Sequence, residues 1–444
     1  MEKRGNRYEY LTKTPVPKLI CALAVPTIIS MLVTGIYNAA DTYFVGKIST
    51  PATAAVGLVF SVMAIIQALG FFSGHGSGNY ISRMLGAGNS READEMAATG
   101  FALAILIGVV LAVLGNVFLE PLAMWLGATP TTLQDTKDYM RIILIGAPFM
   151  TGQFVINNQL RFQGGAVYAM AGLLCGAVLN LFLDPLLILG FHMGVTGAAI
   201  ATITGQIVSM GVLFFASRRG ENIRLKISNI RFNSHYLKEI VNGGSPSLFR
   251  QGLAAVSAIL LNTAAGRLGG DAAIAGMSIV TRIMMLLSSV LIGFGQGYQP
   301  VCSFNYGAGL TGRVKGGYFF CLKFSTVFLT GVGIACFFLA EPLVAAFRDD
   351  PAVIKIGIRA LHFQALSAPF LGANVITNMM LQSIGKGVQA SISASLRNGI
   401  CFIPLILILP MVMGLTGVEI TQAIADVLSC GISIPLAASE LRKM

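Results

Sequence analysis

The chain alternates between long apolar runs and short polar stretches. A helix needs about 20 consecutive apolar residues to cross the ~30 Å hydrocarbon core of a bilayer. Twelve runs reach that length, at roughly 15–44, 52–84, 94–119, 134–159, 167–190, 196–217, 236–266, 272–303, 318–340, 352–381, 388–411 and 417–439. The pattern predicts an all-α, polytopic membrane protein with twelve transmembrane helices. The polar stretches then become loops on alternating sides. Those on the side of the N-terminus hold most of the Lys and Arg, and those on the opposite side hold few. An excess of Lys and Arg marks the cytoplasmic side. Both termini are therefore expected in the cytoplasm, with the chain passing many times through the cell inner (plasma) membrane. The connection from Arg218 to Lys238 is the longest and most basic. It divides the chain into an N-terminal six-helix bundle (1–217), a cytoplasmic linker (218–235) and a C-terminal six-helix bundle (236–444).

Composition agrees with this class. Of the 444 residues 55% are hydrophobic and only 11% charged, with a mean hydropathy of +0.75. A soluble domain carries about 25% charged residues. The net charge of +11 and pI of about 9.4 would point a soluble protein towards nucleic acid. Here the basic residues lie in loops, so topology accounts for them and no nucleic-acid partner is expected. The cysteines (Cys21, Cys175, Cys302, Cys321, Cys336, Cys401 and Cys430) lie in or beside apolar runs without C-x-x-C spacing. Neither disulfides nor a cysteine metal site is expected. The basic start, Met1 to Lys18, leads into a run too long for a signal-peptide core, so no cleavable signal is expected.

The two halves repeat. Pro26 parallels Pro246, Gly74-x-Gly76 parallels Gly295-x-Gly297, and Gly86-Ala-Gly88 parallels Gly307-Ala-Gly309. Glu120-Pro-Leu parallels Glu341-Pro-Leu, Ala147-Pro-Phe parallels Ala368-Pro-Phe, and Gly194-Val-Thr-Gly197 parallels Gly414-Leu-Thr-Gly417. The offset stays at 220 or 221 throughout. Each half has an even number of spans, so both point the same way and the bundles are pseudo-symmetric about the membrane normal. Transporters built from such repeats bind substrate between the halves and open to each side in turn.

Ionisable groups inside a span are functional candidates by default. Asp184 lies within the run from Val167 to Leu189, in Asn180-Leu-Phe-Leu-Asp184-Pro185. Asn180, four residues earlier, shares its helical face. Pro185 lacks a backbone donor and frees the carbonyl of Leu181. A carboxylate, an amide oxygen and a freed carbonyl are hard oxygen ligands for a small cation or a proton. The plain alternative is a protonated Asp hydrogen-bonded across a helix pair. Asp41 ends the first span in Tyr37-Asn-Ala-Ala-Asp41-Thr, and both acids are expected in the outer part of the membrane. Thr202 on the next span can add a hydroxyl. Leu261 and Leu405 stand opposite Asp41 and Asp184 in the second half, so the acids belong to the first half alone. Asp426 lies in the last span opposite Gln206, either as a polar packing contact or as a working acid.

Other motifs exclude functions. Gly74-x-Gly76-x-Gly78 has no preceding strand and recurs in the other half, which fits helix packing by small residues. There is no G-x-x-x-x-G-K-[ST], so ATP drive within this chain is not expected. His75, His192, His235 and His362 are scattered and read as packed or interfacial side chains. No paired catalytic acids or metal cluster marks a membrane enzyme. The 19 Met include Met31, Met170, Met210, Met284 and Met379 within spans. Flexible thioethers suit a promiscuous cavity, although ordinary packing uses Met equally well.

Together, Pro26, Asp41-Thr-x-Phe-Val-Gly46, the paired Gly-Ala-Gly motifs, Ala147-Pro-Phe, Leu183-Asp184-Pro185-Leu-Leu-Ile and Gly-[Val/Leu]-Thr-Gly resemble the multidrug and toxin extrusion (MATE) family of secondary transporters. The resemblance covers nearly the whole chain, and the stretch around Tyr80 is most similar to the bacterial drug exporters. It implies two six-helix bundles in a V, exporting organic cations against an inward Na⁺ or H⁺ gradient, with no other cofactor. It implies a cation site, with possible Na⁺, at Asp41, Asn180, Asp184 and Thr202. It implies substrate or proton-network contacts at Tyr37 and Asn157. Members that use a site in the second half carry a Glu on the seventh span and an Asp on the tenth, and neither acid stands at those positions here.

The leading expectation is a monomeric, cation-coupled antiporter of amphipathic organic cations working by alternating access in the lipid bilayer. The cavity is expected to include Tyr37, Asn157 and Met31, with Pro26 as the hinge of the first span. The alternative is a lipid-intermediate flippase of the same broad superfamily, for which Arg250 and Arg282 are the in-span basic candidates.

Overall fold

A computed structural model of the chain describes residues 2–219, 223 and 225–444. The part of the expected linker formed by residues 220–222 and 224 lies outside the described residues, as does Met1. The described residues form helices α1 (Glu2–Lys13), α2 (Val16–Gly46), α3 (Thr50–Gly86), α4 (Ser90–Val117), α5 (Leu119–Trp125), α6 (Leu133–Phe162), α7 (Ala166–Pro185) and α8 (Gly194–Arg219). They continue as α9 (Ser234–Gly307), α10 (Thr311–Phe338), α11 (Ala340–Ala345), α12 (Pro351–Ser383), α13 (Gly387–Ser395), α14 (Phe402–Met413) and α15 (Leu415–Lys443). A wide π turn, Leu186–Gly190, extends α7, and another, Leu396–Ile400, joins α13 to α14.

Ten helical stretches are long and apolar enough to cross a membrane. The longest is α9, with 74 residues and one non-helical position, Gly270, at φ 62° and ψ −154°. That backbone region is essentially open to Gly alone, and it divides α9 into two spans. Helix α12, at 33 residues, is long enough to cross but less apolar. The result is the twelve-span, all-helical membrane architecture that the apolar pattern predicts. At the loops, side chains take over the first unpaired backbone donors. Ser49 accepts from Ala52 N–H (3.1 Å), Asn233 from Tyr236 N–H (2.9 Å) and Asp350 from Ala352 N–H (2.9 Å).

The duplication is visible in three dimensions. Asn157 Nδ2 donates to Ala169 O (2.9 Å), and Asn378 Nδ2 donates to Ala390 O (2.6 Å). Gly164 and Gly385 end the preceding helices at φ 81° and 83°.

Among the described residues, the buried clusters that join the halves lie at the end that carries the chain termini. One buried cluster joins Leu11, Leu19, Ile20 and Leu23 to Phe294, Tyr298, Met380 and Leu441. Another joins Tyr80, Ile81 and Met96 to Tyr236 and Ile240. At the far end each half has a separate core. Val45, Val59, Tyr139, Ile143 and Ile188 pack in one, and Leu261, Met277, Val280, Phe402 and Val418 in the other. Small residues allow the close seam. A Cβ on Gly76 would stand 2.3 Å from Ile240 O, and one on Gly86 2.1 Å from Phe304 O. Helix packing is thus the role of the glycine series around Gly76, as its sequence context implies. Polar contacts finish this seam: Arg83 pairs with Glu239 (2.7 Å), and His75 Nδ1 meets Ser247 Oγ (3.0 Å). Gln382 Nε2 also donates to Ser247 Oγ (3.0 Å). The halves therefore meet at the terminus side and part towards the other.

Candidate functional site

Asp184 occupies the last turn of α7, one residue before Pro185 and the π turn. It is completely buried. Asn180 lies one turn back on the same face, with Nδ2 3.3 Å from Asp184 Oδ1. Turned over, the amide nitrogen lies 3.2 Å from Asp184 Oδ2 while its oxygen accepts from Thr202 N–H at 3.3 Å. That orientation pairs every atom and ties α7 to α8. On α2, Tyr37 and Asp41 are four residues apart and so share a face. Asp41 lies within electrostatic range of both Asp184 and Tyr37. The chain thus brings together Tyr37, Asp41, Asn180, Asp184 and Thr202.

Neither carboxylate has a Lys, Arg or His partner among the described residues. Asp41 Oδ1 and Thr202 Oγ1 are buried without a hydrogen-bond partner, as are the Oε1 atoms of Gln153 and Gln206. A buried polar oxygen left unpaired costs about 1–3 kcal/mol. Several such oxygens beside two uncompensated carboxylates form a site that lacks positive charge. Hard oxygens without nitrogen or sulfur suit Na⁺ or protons.

Next to these groups is a cavity of about 720 Å³ including its open mouth. Its wall includes Tyr37, Gln67, Gln153, Asn180, Thr202 and Gln206, with Phe60, Met63 and Met150 supplying apolar surface. Its enclosed part is about 70 Å³, room for a few waters or a small cation, and the rest is open to solvent. Asp184 sits behind the wall, one turn from Asn180. The structure does not bring Asn157 or Met31 to this wall. The Asn157 amide is turned to the Ala169 carbonyl, where it fixes the turn between α6 and α7. The polar wall residues Gln67, Gln153, Gln206 and Ser209 do not emerge from a search for charged residues. Their signal is an amide or hydroxyl within an apolar run, with Thr202 and Gln206 spaced by one helical turn. Pro26 is buried inside a continuous α2, where Ser30 Oγ donates to its carbonyl (2.9 Å).

The family model MatE matches residues 26–186 and again 246–408, one copy in each half. The chain belongs to the MatE family. Its curated relatives include the multidrug export protein MepA of Staphylococcus aureus (strain N315), 29% identical over 99% of this chain and 97% of the relative. Among solved structures it is similar to a MATE protein in the bent conformation, with TM-score 0.93, 25% identity and 98% of each chain covered. It is also similar to an outward-facing multidrug resistance MATE family transporter of the MOP superfamily, with TM-score 0.92, 25% identity and 98% of each chain covered. This MatE chain is a multi-pass membrane transporter and not an enzyme. In the second half of the same MatE chain, the buried acids are held differently. Glu419 pairs with Arg359 (2.8 Å), and Asp426 pairs with Arg397 (2.7 Å).

Proposed function

We propose that this MatE chain is a multidrug efflux transporter, an antiporter that exports amphipathic organic cations in exchange for inward-moving H⁺ or Na⁺. Asp41, Asn180, Asp184 and Thr202 hold the coupling cation, and the cavity beside Tyr37 receives the drug. The carrying observation is the set of unpaired buried oxygens around two carboxylates that lack a basic partner, beside an open cavity. MepA, similar over nearly the whole chain, is named a multidrug export protein, which supports the substrate class. The bundles 1–217 and 236–444 move as the alternating units, joined by the segment 218–235. The terminus side is cytoplasmic and the protein acts as a monomer in the plasma membrane. With the halves packed only at that side, this arrangement is open to the outside. Pro26 supplies a bend in α2 that changes the depth and tilt of Asp41.

The deciding experiment is transport in membrane vesicles with an imposed ΔpH or ΔNa⁺. Drug movement driven by one of the two gradients is expected, with loss in Asp184→Asn. Drug movement indifferent to both gradients would overturn the antiport reading.

One observation keeps a flippase in view. Arg161, buried at the seam, donates to Asn158 Oδ1 (2.6 Å), contacts His75 and lies within electrostatic range of Arg250. These cations have no acidic partner among the described residues and would suit an anionic headgroup. Arg282 lies elsewhere, on the far surface beside Asp271 and Asp350. Reconstituted protein that moves a fluorescent anionic lipid intermediate, with drugs having no effect, would favour this second reading.

A further inference from the structure

The second half contains counterparts of the cavity-wall residues, located by the repeat offset of 220 or 221. Gln153, Gln206 and Ser209 of the cavity wall correspond to Asn374, Asp426 and Ser429, and Gly176 corresponds to Arg397. The matched asparagine hydrogen bonds and glycine turns described above show that the α6–α7 and α12–α13 junctions repeat in structure as well as in sequence. Where the first half has Gly176, packed so closely on α8 that a Cβ would stand 2.5 Å from Gly205 O, the second has an arginine side chain. Arg397 Nε donates to Asp426 Oδ1 at 2.7 Å, and Gln422 Nε2 donates to the same oxygen at 3.0 Å. Asp426 is 1% exposed. Asp426 Oδ2, Ser429 Oγ and Asn374 Nδ2 are buried without a partner. Arg397 stands in the π turn Leu396–Ile400, whereas the matching stretch of α7 around Gly176 is regular α-helix. An inserted π turn re-aims side chains and recurs at working sites.

We infer that Arg397 is a tethered cation: its guanidinium permanently occupies a cation site of the second half whose carboxylate is Asp426. Both halves bury acids within their bundles, at different positions of the repeat, but only the first leaves its acids uncompensated. A buried carboxylate in low dielectric requires a positive partner. A soluble cation can leave and return, and so can drive a cycle. A side chain linked to the same bundle acts at a high effective concentration and is not displaced by ambient ions. Glu419, two turns earlier on α15, is held by Arg359 in the same manner. The second half therefore takes no part in cation exchange, and the exchange is confined to the first. This last step rests on the proposed cation coupling of the first half. The site at Asp426 does not.

The test is cation binding by purified full-length protein, independent of transport. Protein is titrated with guanidinium and with Na⁺ at constant ionic strength balanced by choline. The readouts are melting temperature and bound radiolabelled Na⁺. Arg397→Ala is expected to gain a saturable response absent from the wild type: a rise of a few degrees in melting temperature and additional bound cation. Arg397→Ala/Asp426→Asn is expected to lose that gain. Asp426→Asn alone is expected to keep the wild-type cation response. Where Arg397→Ala does not fold, Arg397→Gln, which retains a donor to Asp426, is titrated instead with the same two readouts. A folded Arg397 variant that binds cations as the wild type does overturns the inference. So does an Asp426→Asn protein that binds less cation than the wild type, because Asp426 would then already serve an exchangeable ion. A gain that survives in the double variant assigns the new site elsewhere and also overturns it. A wild type that binds neither ion, together with a gain in Arg397→Ala, rejects Na⁺ as the coupling ion of the first half and leaves the Asp426 site standing.

Discussion

At the scale of single residues, the question is what an uncompensated charge does at membrane depth. Asp184 has no basic partner and one turn of helix separates it from the cavity wall. Asp184→Asn keeps the shape and the contact to Asn180 but removes the charge. A hydrogen bond to a charged group contributes about 1.5–3 kcal/mol, so ion affinity should fall roughly tenfold to a hundredfold. The expected outcome is drug resistance at the level of cells without the transporter, with membrane insertion intact. Wild-type resistance at matched expression would remove Asp184 from the mechanism. Thr202→Val is the milder companion. It removes the unpaired hydroxyl but keeps the backbone N–H that meets Asn180, so partial loss of ion affinity is expected with little change in melting temperature. The acids and Asn180 were legible in the sequence because ionisable groups are costly in an apolar run and spacing fixes their face. Gln153 and Gln206 were not, because an amide in a span serves equally well as packing glue. Only the cavity separates the two uses. Met31 and Asn157 show the reverse: residue type and resemblance suggested the cavity, but side-chain direction takes the Asn157 amide to a turn.

At the scale of elements, the span pattern was legible almost in full, since length and hydropathy decide whether a segment crosses. What the pattern hides is backbone detail. Nothing in the run of apolar residues marks the π turns at Leu186–Gly190 and Leu396–Ile400. The break at Gly270 is a further example. Its φ of 62° and ψ of −154° admit Gly and penalise other residues by about 1–3 kcal/mol. Gly270→Ala is expected to lower the melting temperature of the purified protein, while Gly252→Ala, in ordinary helix with open space around it, is expected to leave it unchanged or raise it. Equal effects of the two would show that the break is not a constraint. The seam glycines act on state and not only on stability. A Cβ on Gly86 would meet Phe304 O at 2.1 Å, backbone against backbone, so the halves must separate at the terminus side. Gly86→Val is expected to expose that seam, read as faster labelling of a cysteine placed at Ser303, which is fully buried here against Asn79.

At the scale of the whole molecule, the two halves share a scaffold but differ in charge. The duplication kept the helix order and the asparagine-locked turns. The first half keeps two acids without basic partners, and the second pairs its acids with Arg359 and Arg397. On the proposed antiport reading, this asymmetry is what links ion to drug. Two nearby carboxylates in low dielectric cannot both remain ionised without a cation or proton between them. A cationic drug in the neighbouring cavity is attracted to the same negative charge, so either positive species weakens the attraction for the other, and the effect is reciprocal. On the proposed antiport cycle, with the terminus side cytoplasmic, H⁺ or Na⁺ arriving from outside would displace the drug outward. Drug binds after the ion has left on the inside. Drug affinity of purified protein is therefore expected to fall as pH falls at fixed Na⁺ if protons couple, or to fall as Na⁺ rises at fixed pH if sodium couples. Asp41→Asn should flatten whichever dependence is present, because one of the two charges that both cations share is gone. An intact protein whose drug affinity ignores both ions would rule out direct competition and assign coupling to the rocking step, where the seam around Gly76, His75 and Arg83 must open.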